Sequence, residues 1–190
     1  MKVLAAADAL MSLSGHRRQQ VWDAAALKAA PALLTEAPID EDYLELPEAP
    51  EGEEVVWDYA SLGLTLRSHP LALLRPRLAR RGLLSAAQLD EVRDGQVVRA
   101  CGIVTLRQQP ETAKGTIFVS LEDETGTVQV ICWKSIRETQ REALLQARLM
   151  AVQGVWQREG AVKNLIARKI RDLTPMLGRL ASLGRSRDFR

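Results

Sequence analysis

Three consecutive acids, Glu122-Asp123-Glu124, could form a carboxylate cluster for metal binding or acid–base catalysis. Thr125-Gly126 follows them, so they read as a tight turn. Neighbours on a strand also point to opposite faces, so their carboxylates do not converge on one ion. The two histidines, His16 and His69, lie far apart with no cysteine near either, which argues against a zinc site. His69, just ahead of Pro70, reads as a packed connector residue. Cys101 and Cys132 read as two small buried residues of a reducing compartment rather than a disulfide. No phosphate-loop glycine pattern occurs. Catalysis finds no support, and no metal or cofactor is expected.

The chemistry that does find residues is base stacking and phosphate pairing. The chain holds 4 Trp, 2 Tyr and 2 Phe, so any stacking site is built from few rings. Phe118 and Trp133 lie in alternating segments. Ile117, Val119 and Leu121 form one apolar set, and Val128, Val130 and Cys132 another. If these point inward, then Thr116, Phe118 and Ser120 point outward, as do Gln129, Ile131 and Trp133. A base stacked on such a ring is worth roughly 1–3 kcal/mol. Alternation also sends Arg99 and Arg107 to the outward side of the preceding strand. Lys114 sits in the loop between them and Phe118. Arg158 and Lys163 flank a hairpin turn at Glu159-Gly160. Arg168, Lys169 and Arg171 add charge to the last strand.

Five strands must position these groups: Val97 to Arg107, Thr116 to Glu122, Thr127 to Trp133, Leu149 to Gln157 and Ala161 to Leu173. Gly102 suits the sharp coil of a barrel strand. A helix capped by Ser135 and ending near Ala147 separates the third strand from the fourth. Five strands with a helix between the third and fourth is the chain order of an OB-fold, a small barrel that binds oligonucleotides on strands 2 and 3 and the flanking loops. The fold class expected is mainly β with helical additions.

Around the barrel the chain divides further. Residues 1–30 read as helical, broken at Ser14-Gly15, and too short to fold alone. Residues 31–58 read as an acidic linker, where Pro31, Pro38, Pro47 and Pro50 disfavour continuous helix. Residues 59–94 read as a helical connector, with helices over Leu71 to Arg80 and, capped by Ser85, over Ala86 to Val92. The barrel domain spans 95–175. A helix started by Pro175 and a basic tail over 176–190 finish the chain.

Charge follows the same division. Residues 1–60 hold 4 Lys and Arg against 12 Asp and Glu, a net −8, while residues 61–190 hold 22 against 12, a net +10. An acidic arm and a basic body point to nucleic acid as the partner of the body. No run approaches about 18 uncharged apolar residues, so no membrane span is expected. Asp8 interrupts the N-terminal apolar stretch, which lacks the basic start of a signal peptide. A cytoplasmic protein is expected.

Several motifs carry a family resemblance. Ser68-His69-Pro70-Leu71, the run Gly102 to Gln108, Thr112-Ala113-Lys114-Gly115, the run Phe118 to Gly126 and Ser186-Arg187-Asp188-Phe189 resemble the C-terminal region of bacterial error-prone DNA polymerases of the C family, paralogues of the replicative polymerase III alpha subunit. Ala5 to Leu10 and Arg17-Arg18-Gln19 resemble the end of that family's helix-hairpin-helix region. The Phe-x-x-Leu-Glu-Asp strand is shared with OB-folds of aminoacyl-tRNA synthetases. The chain departs from the pattern at Arg190, where histidine is expected, and in its longer acidic linker. The resemblance implies damage-tolerant DNA synthesis and repair, with an OB module on single-stranded template. It also implies accessory proteins and a sliding clamp as partners of the whole polymerase. The family's catalytic carboxylates precede the matched region. No clamp-binding peptide stands out, since Gln146-Ala147-Arg148-Leu149 should enter a strand, so clamp contact through this chain is not expected.

The reading is therefore a C-terminal polymerase region that binds single-stranded DNA through Phe118, Trp133, Arg99, Arg107, Lys114, Gln129, Arg158 and Lys163, without catalysing synthesis. Two alternatives remain: a tRNA anticodon-binding module, and a protein-interaction adaptor with no DNA affinity.

Overall fold

The computed structural model describes residues 1–27, 43–160 and 162–182. The chain forms two compact units, Met1–Thr65 and Leu66–Arg190.

In the first unit, α1 (Lys2–Ala6), α2 (Met11–Ser14) and α3 (Arg17–Ala26) are joined by a fourth helix, α4 (Glu51–Ser61). Ala5, Ala24, Val55 and Val56 are buried here. His16 caps α3, its Nδ1 accepting from the Gln19 amide at 3.3 Å. Arg17 is only 1% exposed, with its guanidinium paired to Asp58 and donating to the Glu54 carbonyl at 3.1 Å. Arg18 pairs with Glu53 at 2.7 Å. These contacts correct the linker expected over 31–58. Residues 31–42 of it lie outside the described residues. The Gln19 amide ties down the stretch before α4, bonding the Leu44 carbonyl at 3.1 Å and the Leu46 amide at 2.9 Å. From Glu51 the chain is helical. Pro50 stands at the N-cap, where its missing N–H costs nothing, and Glu51, Glu53 and Glu54 fill the first turn, where the helix dipole favours them. Glu53, Glu54 and Asp58 are thus counter-charges of Arg17 and Arg18 rather than solvated spacer.

The second unit is built on five strands: β1 (Val97–Gln108), β2 (Ile117–Asp123), β3 (Gly126–Cys132), β4 (Leu149–Glu159) and β5 (Val162–Asp172). They close into a barrel in the order β1-β2-β3-β5-β4. All pairings are antiparallel except β3 with β5, which close the barrel in parallel through Gln129–Asn164, Val130–Leu165 and Ile131–Ile166. The core holds the apolar sets that alternation sends inward, among them Ile117, Val119, Leu121, Val128, Val130, Cys132, Trp156 and Leu165. Two short helices, α7 (Lys134–Thr139) and α8 (Arg141–Gln146), replace the single helix expected there, with the break at Gln140. Trp133, not Ser135, occupies the first N-cap.

Outside the barrel, α5 (Pro70–Ala79) buries Leu71 and Leu78 in a second core with Cys101, Leu149, Ala151 and Leu177. Helix α6 (Ala86–Asp90) starts at Ser85 in a full capping box with Gln88. Residues Thr174–Ser182 form 3-10 turns kinked at Gly178, so the part of the expected tail up to Ser182 is structured and buries Leu177. Residues 183–190 lie outside the described residues.

Two bulges set which side chains face out. Val104 pairs with Leu121, but Leu106 pairs with Ser120, leaving Thr105 as the extra residue of β1. On β5, Gln153 of β4 faces Lys169 while Gly154 faces Ala167, leaving Arg168 extra. Gly154 admits no side chain, because a Cβ there would sit 2.1 Å from the Ile166 carbonyl oxygen.

Candidate nucleic-acid interface

The outer face of β2, β3 and β5 carries two side-chain rows. In one, Phe118 stands opposite Ile131, and Ile131 opposite Ile166, all three half-buried. In the next, Ser120 stands opposite Gln129, and Gln129 opposite Asn164. The Ser120 hydroxyl donates to Gln129 Oε1 at 3.1 Å, which leaves the exposed Gln129 amide nitrogen free to donate outward. An apolar row beside a polar one suits a base lying flat on the first and read at its rim by the second.

One end of this face is cationic. Lys114, left-handed at φ 47°, is exposed in the β1–β2 loop. Lys134 and Arg137 of α7 lean on the next residue, Gly115, where a Cβ would lie 3.6 Å from each side chain, and Lys134 also pairs with Glu138 at 3.8 Å. Trp133, 52% exposed, begins the same helix. Lys134 and Arg137 lie outside the set expected from the sequence, which draws its cations from the strands and their connecting loops. The signal was there in hindsight: a helix leaving the end of β3 must pass the start of β2, and so the loop holding Lys114.

The opposite end is acidic and structural. Asp123 is buried, one oxygen accepting from the Thr125 amide at 2.7 Å and the Gly126 amide at 3.1 Å. Its other oxygen accepts from the Ala86 amide at 2.8 Å and Arg75 Nη2 at 3.2 Å. Arg75 also pairs with Glu124. His69 caps α5, its Nδ1 accepting from the Leu71 amide at 3.2 Å. Burial pulls its pKa below the ordinary value, against the pull of Glu122 in the other direction. The carboxylates are thus a turn and an anchor for α5. Among the described residues no cluster could hold a metal ion, and no helix is long and apolar enough to cross a membrane.

The remaining site residues do not gather on this face. Arg107 is a correction. The Thr105 bulge reverses the alternation after Val104, so Arg107 points inward, 2% exposed, and donates to the carbonyls of Leu144 and Ala147. It closes the barrel under α8 instead of meeting solvent. Arg158 and Lys163 do meet at the β4–β5 hairpin. Arg158 donates to the Asp90 carbonyl at 3.1 Å and Lys163 pairs with the Asp90 carboxylate at 2.7 Å, so α6 already uses them. Arg99 is exposed, but on the part of β1 that pairs with β4.

This closed five-stranded barrel, with a helical crossover after β3, is an OB-fold, and residues 98–173 match the OB-fold nucleic acid binding domain family. Over its whole length the chain is similar to the C-terminal part of error-prone DNA polymerases. It is 57% identical to that of Ralstonia nicotianae over 192 residues and 49% identical to that of Bordetella parapertussis over 185 residues, covering 100% and 97% of this chain. In each case the chain spans 18% of the relative's length. Among solved structures, asparaginyl-tRNA synthetase from Pyrococcus horikoshii aligns with 42% of this chain and 20% of its own, at 24% identity and a TM-score of 0.37.

Proposed function

We propose that this chain is the single-strand-binding region of an error-prone DNA polymerase and holds template DNA during damage-tolerant synthesis. The observation that carries the reading is the half-exposed Phe118 opposite Ile131, on a face ending in Lys114, Lys134 and Arg137. Bases would stack along Phe118 and Ile131, with Trp133 as a further platform at the cationic end. The amides of Gln129 and Asn164 would donate to base edges or phosphates. Such stacking is tolerant of sequence, which suits a protein that must follow damaged template. Accessory proteins of the polymerase assembly remain partners of the whole enzyme in this reading.

The test is fluorescence anisotropy of the full 190-residue chain with a labelled oligothymidylate of roughly 16 nucleotides, the upper site size of an OB-fold. Binding that weakens with salt and with Phe118→Ala supports the reading. Tighter binding to a tRNA stem-loop would assign the chain to the anticodon-binding class. Capture of a polymerase accessory protein, with no affinity for either nucleic acid, would make it an adaptor.

A further inference from the structure

A second cationic surface lies on the part of the barrel formed by β1, β4 and β5. Register sets Arg99 opposite Gln153, and Gln153 opposite Lys169. One step along, Arg171 stands opposite Ala151. The Arg168 bulge makes this possible, because it lets Arg168 and Lys169 both reach solvent in succession. Arg99, Lys169 and Arg171 line a cleft of about 550 Å³ with Arg81, Gln153 and Leu83.

Among the described residues no carboxylate lines this cleft, and none of Arg81, Arg99, Lys169 and Arg171 is in an ion pair. Elsewhere on the barrel Lys163 and Lys134 have acidic partners, Asp90 and Glu138, while Lys114 and Arg137 lie on a loop and a helix and do not gather on neighbouring strands as Arg99, Lys169 and Arg171 do. The Arg99 guanidinium lies over Gly82, where a Cβ would come within 2.6 Å of its Nη2. The absent side chain gives the fork a fixed seat at the cleft wall. Like charges gathered across neighbouring strands repel, a cost offset when an anion lies among them. Arginine forks and lysine ammonium groups spaced along an open cleft match a chain of phosphodiesters.

We infer that the cleft over β1, β4 and β5 is a second nucleic-acid contact, gripping the phosphate backbone of a strand whose bases stack elsewhere. This rests on the reading that the chain binds single-stranded DNA and adds a backbone site separate from the Phe118 face. Among the described residues the cleft has no aromatic ring, so its contribution is electrostatic and blind to sequence.

The experiment compares the full chain with Arg99→Gln/Lys169→Gln, with Phe118→Ala, and with Arg93→Gln/Arg141→Gln. The last removes the same charge at exposed positions outside the cleft. Each is titrated with the same labelled oligothymidylate across a salt series, after melting curves confirm the fold. Losing two phosphate contacts should flatten the slope of log affinity against log salt by about 1.4, at roughly 0.7 per phosphate on a single strand. Affinity at low salt should fall at least about tenfold, the control pair should change little, and Phe118→Ala should keep the wild-type slope. If the cleft pair misfolds, Lys169→Gln alone should show about half the change in slope. Wild-type slope and affinity in the cleft variant, or an equal loss in the control pair, overturn the second site while a Phe118→Ala defect leaves the first intact. A loss confined to the cleft variant, with Phe118→Ala unaffected, keeps the cleft and removes the stacking face. No binding by the wild-type chain at low salt removes both.

Discussion

Arg107 Nε donates to the Leu144 carbonyl at 2.8 Å, joining the end of β1 to the helix that plugs the barrel. The same guanidinium bonds Ala147, so two carbonyls at the end of α8 depend on it. Truncation strands both in a buried site. Arg107→Ala should therefore lower stability by about 2–3 kcal/mol, the cost of leaving buried acceptors unpaired. The folded fraction should bind single-stranded DNA as the wild type does. Urea melts and anisotropy on one preparation check both halves, and a stable variant with weakened binding would return Arg107 to the ligand.

Phe118→Ala should behave the opposite way. Its ring is half-buried on the outer face, so truncation should cost roughly 1–3 kcal/mol of binding. A ring buried in the core would instead cost roughly 3–5 kcal/mol of stability. Melting temperature and oligonucleotide affinity measured on the same mutant separate the two.

Gly154→Ala should be among the most damaging substitutions in the barrel. Its methyl group would meet backbone, not a side chain able to swing aside. The expected loss exceeds about 4 kcal/mol. Circular dichroism of the purified variant reads it directly, and a well-folded barrel would show that β4 and β5 part more readily than their bulge implies.

Asp58→Ala leaves the Arg17 guanidinium buried and short of its carboxylate. Breaking a buried pair in this way costs about 3–5 kcal/mol. Amide exchange in α3 and α4 should accelerate. Unchanged protection there would mean that Glu54, the other partner of Arg17, suffices.

Alkaline pH should weaken the barrel through its thiols. Burial raises Cys101 from the ordinary 9.0 to about 11 and Cys132 to about 12. The unfolded chain therefore loses these protons first. The stability they contribute is whole below pH 9.0 and is lost as pH climbs through the folded values of about 11 and 12. Urea midpoints should fall more steeply with pH in the wild type than in Cys101→Ala/Cys132→Ala. Parallel declines would assign the alkaline loss to other groups.

The barrel was legible because its strands alternate cleanly and its turns carry Gly126 and Gly160. Alternation also identified Phe118, Gln129 and Trp133 as outward residues. It failed at Arg107 because a bulge at Thr105 leaves no mark in the sequence: one unpaired residue turns every later side chain over. The acidic segment was misread for a different reason. Proline breaks a helix from within, whereas Pro50 stands at the start of one, and Glu53, Glu54 and Asp58 after it are drawn to Arg17 and Arg18 across more than thirty intervening residues. Local pattern holds no record of such a partner. Lys134 and Arg137 escaped because their approach to Gly115 depends on where the crossover passes.

The parallel seam between β3 and β5 has one more consequence. A sheet closed on itself leaves no full-length edge strand, since the three pairs of this seam join the two strands that would otherwise be edges. Among the described strands, a foreign strand, from a partner protein or a misfolded copy, therefore finds no long free edge to pair along. A ligand docked on the barrel face is held chiefly by side chains, so its grip can be retuned by single substitutions without disturbing the backbone ladder beneath.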